Sequence, residues 1–245
     1  MAQKKQKNFL PTGRQASTIP VCKPNKIRHD LQDNLNWRIF RILAEFIEGF
    51  QFLLELKKEV TIFGSARFIA GRHPGDHHYK EAYKLGKMLG ERGFTIVTGG
   101  GPGIMEAANK GASEVGATSV GLNIQLPIEQ RKNMYVQKGI GFHYFFTRKV
   151  MLSASAQAYI FLPGGFGTLD EFFEIITLIQ TGKMDRIPVV LIGKDFWRPL
   201  IDWIEIHLYK KHRTISKEDM QLYQLVNTVD EAVEIISHTE ERDFS

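Results

Sequence analysis

Two kinds of hydrophobic spacing divide this chain. Between residues 30 and 56 the apolar positions Leu31, Leu35, Ile39, Ile42, Leu43, Phe46, Phe50, Leu53 and Leu54 recur every three or four residues, which predicts one long amphipathic helix. After residue 58 the pattern changes to short β-rich runs at 60–63, 94–97, 118–122, 159–162 and 188–192, with a weaker run at 222–226. Several of these are apolar throughout, as strands of a parallel sheet covered on both faces are. Between them, helices are predicted at 76–92, 103–115, 147–156, 168–180 and 196–209.

Strands and helices alternating at these lengths imply right-handed βαβ crossovers. The fold class expected is therefore α/β: a Rossmann-like doubly wound parallel sheet with an added long N-terminal helix. The chain divides accordingly into an arm (1–29), the helix (30–57) and the α/β domain (58–245). In such sheets ligands sit beyond the carboxyl ends of the strands, where strand order reverses. The loops that follow strands are the places to look for chemistry.

Composition narrows the setting. With 245 residues, 43% of them hydrophobic and 11% aromatic, the chain can bury one large core. No run of eighteen apolar residues occurs, and the basic, polar first residues lack the apolar stretch of a signal peptide. A cytoplasmic protein is expected, with no membrane partner. Cys22 is the single cysteine, so no disulfide forms within the chain. The net charge of +5 belongs to the arm: residues 1–29 carry seven Lys and Arg and no acid, leaving −2 for the rest. Such a segment reads as a solvated arm before it reads as a nucleic-acid binder.

Three strand ends carry small residues: Gly64-Ser65-Ala66-Arg67, Gly99-Gly100-Gly101-Pro102-Gly103 and Pro163-Gly164-Gly165-Phe166-Gly167-Thr168. The second and third share a GGxG core, follow a strand and open a helix. Each places acids in that helix, Glu106 in one and Asp170 with Glu171 in the other. Glycines let backbone amides approach a phosphate, and a helix N-terminus adds partial positive charge. The same glycines also serve as plain βα turns. Taken together, two such loops at strand ends taken to be adjacent predict a composite monophosphate site from Gly64, Ser65, Gly100, Gly101, Gly103, Gly164, Gly165, Gly167 and Thr168. Neither loop continues into Gly-Lys-Ser/Thr, which argues against a triphosphate P-loop. The first βα turn lacks G-x-G-x-x-G, which argues against a dinucleotide.

Thr168-Leu169-Asp170-Glu171 has the spacing of a capping box, Thr168 capping the helix and Glu171 bonding back. With Leu169, Phe172, Phe173, Ile176 and Ile179 as the buried stripe, Glu171 is placed off the core face at the ligand end. Cap and catalyst are equal readings of that residue from spacing alone. Thr147-Arg148-Lys149 sets two cations at a helix start, against the macrodipole. Either an anion from ligand or protein offsets them, or solvent does. Glu129, in the loop 123–133 after Pro127, is placed to reach a ribose or base. His73 and His77 sit in a loop with Pro74 and Gly75, without a clustered carboxylate, so no metal site is expected. No G-x-S-x-G elbow supports serine acyl transfer.

The string Pro163-Gly164-Gly165-Phe166-Gly167-Thr168-Leu169-Asp170-Glu171 matches the PGGxGTxxE signature of the LOG family, cytokinin-activating phosphoribohydrolases long misnamed lysine decarboxylases. Gly99–Gly103, Arg148-Lys149 and the strand order agree, so that the resemblance covers roughly residues 58–236. The arm and long helix resemble the longer bacterial branch, which includes nucleosidases acting on AMP and other monophosphates. The resemblance implies a hydrolase cleaving the N-glycosidic bond of cytokinin or purine nucleoside 5′-monophosphates, with Arg148 and Glu171 as the catalytic pair. It further implies that Gly164 to Thr168 hold phosphate and ribose, that Lys149 lines the same site, that no cofactor is needed, and that the protein is a homodimer or larger. The rival readings are a non-catalytic mononucleotide sensor or carrier and, from the older family label, a pyridoxal-phosphate decarboxylase. No lysine in the sequence is marked out for a Schiff base.

Overall fold

The structure, a computed structural model, describes residues 31–72, 75–125 and 132–239. The arm 1–29, His73, Glu129 and most of the 123–133 loop lie outside the described residues. The chain forms two compact units, Met1–Arg38 and Ile39–Ser245; of the first, only residues 31–38 are described.

The sheet has seven parallel strands: β1 (Glu59–Phe63), β2 (Thr95–Thr98), β3 (Ser119–Ile124), β4 (Lys138–Phe142), β5 (Ala158–Phe161), β6 (Val189–Ile192) and β7 (Gln224–Val226). Their order is β4-β3-β2-β1-β5-β6-β7. The chain therefore builds outward from β1 to β4, then returns to the other side of β1 to start β5. The strand order reverses between β1 and β5, whose registers pair Val60 with Ala158 and Phe63 with Phe161. The helices are α1 (Leu31–Leu54), α2 (Asp76–Glu91), α3 (Ile104–Glu114), α4 (Phe145–Ala154), α5 (Phe166–Gln180), α6 (Lys194–Trp203) and α7 (Val229–Ser237). α6 runs on as a π-helical segment, Ile204–Lys211.

Each strand feeds two cores because successive side chains point to opposite faces. Val60, Ile62, Ile160 and Val190 pack with α2, α3 and α7. Phe63, Tyr159, Phe161 and Leu191 pack with the end of α1 and with α4, α5 and α6. This two-sided burial is why the strands read as continuous apolar runs. The doubly wound α/β expectation and its five main strands agree with the structure. No helix among the described residues is long and apolar enough to cross a membrane.

Two elements carried too weak a pattern to be found. β4 reads Lys-Gly-Ile-Gly-Phe, an edge strand largely exposed on its outer residues, and its two glycines give no β signal. α7 is announced by a true capping box, Thr228 to Glu231. α1 ends two residues earlier than predicted and has two apolar faces. Leu53 is buried, and Leu56 just beyond the helix also enters the core, whereas Phe40, Leu43, Ile47, Phe50 and Leu54 stay exposed.

Candidate active site

A cleft of about 840 Å³ opens at the reversal point, walled by the loops after β1 and β5, the start of α5 and one side of α4. Its size lies within the roughly 300–1,000 Å³ usual for small-molecule sites. Backbone bonds knit the loops: Ser65 N donates to the Pro163 carbonyl at 3.1 Å and Ile104 N to the Ser65 carbonyl at 3.1 Å. Gly64 leaves room for the Ile104 side chain, which a Cβ would meet at 2.6 Å.

Gly64, Ser65, Lys149, Gly164, Gly165, Gly167 and Thr168 all line this cleft, with Arg148 and Glu171. The second glycine loop does not join them as anticipated. Only Gly99 reaches the wall, while Gly100, Gly101 and Gly103 are buried behind it. The cause is a polar network beneath that loop. Thr98 Oγ1 donates to Asn109 Oδ1 at 2.7 Å and accepts from Gly100 N at 2.9 Å, while Asn133 Nδ2 donates to the Gly101 carbonyl at 3.0 Å. β2 and β5 are also not neighbours, since both flank β1. The composite site is therefore built from the loops of β1 and β5. Glu106 accepts from Tyr79 Oη at 3.1 Å, away from the cleft wall.

The helix α5 begins two residues earlier than its sequence suggests. Gly165 is its N-cap and makes no side-chain cap bond. The open first turn, with Gly165, Phe166 and Gly167 at the cleft, presents amide donors and the positive end of the helix dipole. Thr168 thus lies inside the helix, its hydroxyl buried against Gly164, and the capping-box reading of Thr168 and Glu171 is corrected. So is the buried stripe: Thr168, Glu171, Phe172, Ile175 and Ile179 are buried, whereas Phe173 is exposed. These positions keep helical spacing, so Glu171 shares the inner face with Phe172 and Ile175.

Glu171 is only 7% exposed, and its Oε2 has no hydrogen-bond partner among the described residues. Burial, aided by Glu174 and Asp170, pushes its carboxyl up to about 7 against the pull of Lys149 and Arg148. Those two cations come from α4. Arg148 Nε donates to the Leu122 carbonyl at 2.7 Å, and the guanidinium lies against Gly99. Burial lowers its pKa, with Glu171 opposing. Lys149 Nζ pairs with Asp170 at 2.6 Å and Glu174 at 3.0 Å. Burial draws the Lys149 pKa down, but these partners hold it above the ordinary lysine range.

The charges facing these two cations are Glu171, Asp170 and Glu174, and a further acid that sequence reasoning missed closes the start of α4. Glu45 of α1, itself buried, accepts from His143 N at 2.7 Å and Tyr144 N at 3.3 Å. Its Oε2 also accepts from Thr147 Oγ1 at 2.5 Å. Glu45 shares its helix with Asp33 and Glu48, so spacing alone did not single it out. Glu174 was also missed, though it stands one turn from Asp170 and shares its lysine. The histidines are corrected as well. A carboxylate does accompany them, because α2 starts at Asp76 and brings His77, His78 and Glu81 onto one side. Their ligand atoms lie within 4.8 Å of one another, outside the cleft wall.

Comparison with known proteins adds the family. Residues 105–236 match the family described as "Possible lysine decarboxylase". The chain is 30% identical over 151 residues to a cytokinin riboside 5′-monophosphate phosphoribohydrolase of Rhodococcoides fascians, covering 60% of this chain and 74% of that one. It is 35% identical over 131 residues to the LOG enzyme of Oryza sativa subsp. japonica, covering 51% and 52%. The chain thus spans about half the length of the rice relative. Among solved structures, a molybdenum cofactor carrier protein of Chlamydomonas reinhardtii superposes with a TM-score of 0.53 at 23% identity, covering 73% and 94%. A molybdenum cofactor binding protein of Rippkaea orientalis does so with 0.52 at 22%, covering 73% and 93%. At these identities the structural likeness shows the fold.

Proposed function

The chain belongs to the LOG family, and on that premise we propose that it hydrolyses the N-glycosidic bond of cytokinin or purine nucleoside 5′-monophosphates, AMP among them, to free base and ribose 5-phosphate. The observation that carries this reading is the buried Glu171, with one carboxylate oxygen left without a partner at the wall of a cleft that also holds two cations. Burying an ionisable group without a full set of partners is costly, so one kept at a cleft wall is a candidate for function. The phosphate is assigned to the open first turn of α5 at Gly165 to Gly167, where amides and the helix dipole favour an anion.

Breaking the C1′–N9 bond builds positive charge on the ribose ring. An ionised Glu171 beside C1′ offsets that charge and accepts a proton from the attacking water. The water oxygen bonds to C1′, the N9 bond breaks, and the base leaves with its electron pair, taking up a proton. A carboxyl group with a pKa near 7 suits proton transfer at neutral pH. Arg148 and Lys149 keep Glu171 partly ionised and add positive potential for the phosphate.

The test is incubation of the protein with a panel of nucleoside monophosphates, following free base by chromatography, with Glu171→Gln as control. Saturable binding of a mononucleotide without release of base would support the carrier reading instead. We also propose that the working unit is a homodimer paired through α1. Phe40, Leu43, Ile47, Phe50 and Leu54 make an exposed seam with alternating spacings of three and four, as in helices that pair along a stripe. Ile47→Glu with Phe50→Glu is expected to give a monomer by light scattering; an unchanged mass would sink this assignment.

A further inference from the structure

We propose that Glu45 is a positioning residue for this site: by closing the start of α4 from α1, it holds Arg148 and Lys149 at the cleft wall. α4 has no side-chain cap of its own, since its N-cap residue is Tyr144. The amides that lead into a helix need acceptors when water cannot reach them. Glu45 supplies them from a residue distant in sequence, taking His143 N, Tyr144 N and the Thr147 hydroxyl on its two oxygens.

Three observations make this more than a cap. First, Thr147 immediately precedes Arg148 and Lys149, so its anchored side chain fixes the turn that carries both cations. Second, a carboxylate at this end of α4 stands at the positive end of the helix dipole, which favours it there and steadies the turn that leads into the helix. Third, α1 is seated closely on α4 one turn later. A Cβ at Gly49 would meet Met151 Sδ at 2.6 Å and Phe142 at 3.2 Å, so glycine lets α1 lie close to α4 without displacing the Met151 side chain. Arg148 then has two supports, the Glu45-capped turn behind it and the Leu122 carbonyl on its Nε. The inference rests on the proposed hydrolase reading for its kinetic consequence, but not for its structural one.

The experiment uses the full chain and compares Glu45→Ala, Glu45→Gln and Thr147→Val. Two quantities are read: hydrogen exchange at Arg148 Nε, followed by NMR, and steady-state kinetics on a nucleoside monophosphate. In Glu45→Ala, exchange at Arg148 Nε is expected to accelerate, and kcat to fall about tenfold with KM changed by less than about twofold, as for a misplaced transition-state group. Glu45→Gln, which keeps one acceptor oxygen, is expected to recover part of both. In an Arg148→Ala background the further loss of kcat on adding Glu45→Ala is expected to be smaller than in the parent, because only Lys149 is then left to be displaced. Should Glu45→Ala not fold, Thr147→Val carries the same readouts at smaller amplitude.

A folded Glu45→Ala with unchanged Arg148 exchange overturns the inference, as does an equal loss of kcat with and without Arg148. If the parent protein turns over no nucleoside monophosphate, the hydrolase reading fails. The exchange measurement then decides the role of Glu45 by itself.

Discussion

The spacing Thr-x-x-Glu occurs at the start of α5 and again at the start of α7, and the two copies do opposite things. At α7, Thr228 is the N-cap. Its hydroxyl accepts from Glu231 N at 3.2 Å, and the Glu231 carboxylate accepts from Asn227 N at 2.7 Å and Thr228 N at 3.3 Å. Backbone donors hold that carboxyl below the usual glutamate range, in full contact with water. At α5, glycines before Thr168 let the helix begin earlier, so the threonine and the glutamate enter its body. Glu171 ends buried, short of hydrogen bonds and pushed up to about 7. The difference teaches that where a helix starts decides whether a carboxylate stabilises the fold or is kept in reserve for a ligand. A satisfied cap is spent on folding; an unsatisfied buried acid remains reactive.

The sharpest way to break this comparison is to neutralise both acids. Glu171→Gln is expected to lower kcat by at least about a hundredfold, the usual size of a lost electrostatic contribution at a reacting centre, whereas Glu231→Gln is expected to leave kcat unchanged. Chromatographic rates for the two variants check this; comparable losses in both would remove Glu171 from the chemistry.

Their pH behaviour should also run in opposite directions. Glu171 binds its proton more tightly in the folded chain, so from its ordinary value of 4.5 up to about 7 the folded state holds a proton that the unfolded state has lost. Stability therefore falls as pH rises through that window, by up to roughly 3 kcal/mol, and stays lower above it. Activity needs the ionised form and rises over the same range. Glu171→Gln is expected to be more stable than the parent at pH 8 and nearly equal to it at pH 4, as followed by urea unfolding. Glu231, with its depressed pKa, contributes stability above the unfolded value that is lost as pH falls.

A smaller effect separates the glycines around Thr168. Gly164→Ala drives a methyl into the Thr168 side chain, whereas Gly167→Ala points into open space. The first is expected to cost about 1–3 kcal/mol by overpacking, whereas the second, at a helical position with room for a methyl, is expected to be neutral or stabilising by up to about 1 kcal/mol, with thermal unfolding as the measure. Thr228→Ala is expected to cost about 1 kcal/mol from loss of the cap. Thr168→Ala should not reproduce it as a cap defect, and equal losses with equal helix fraying would show that both threonines cap.

The chain's pattern determined much of this without tertiary information. Strand runs such as 159–162 and 188–192 are apolar on both faces, and only a sheet covered on both sides accommodates that. Of the three strand ends carrying small residues, those of β1 and β5 lie at the cleft, and PGGxGTxxE with Arg148 and Lys149 marked the family. β4 escaped because two of its five residues are glycine and it sits at an edge, where burial does not select apolar side chains.

What only the tertiary structure decided is which partners each group meets. Local spacing left the start of α5 open, because Thr168 offers a side-chain cap whereas the structure puts Gly165 at the N-cap. Nor could it place Gly100 and Gly101 behind the cleft wall, since Asn133 reaches both from another segment and Thr98 ties Gly100 to Asn109. Glu45 meets α4 across about a hundred residues of sequence, where no local periodicity operates. Sequence spacing fixes faces of helices and strands over a few residues; hydrogen bonds and burial between distant elements are set by packing, and it is those that determine the charge on a carboxylate.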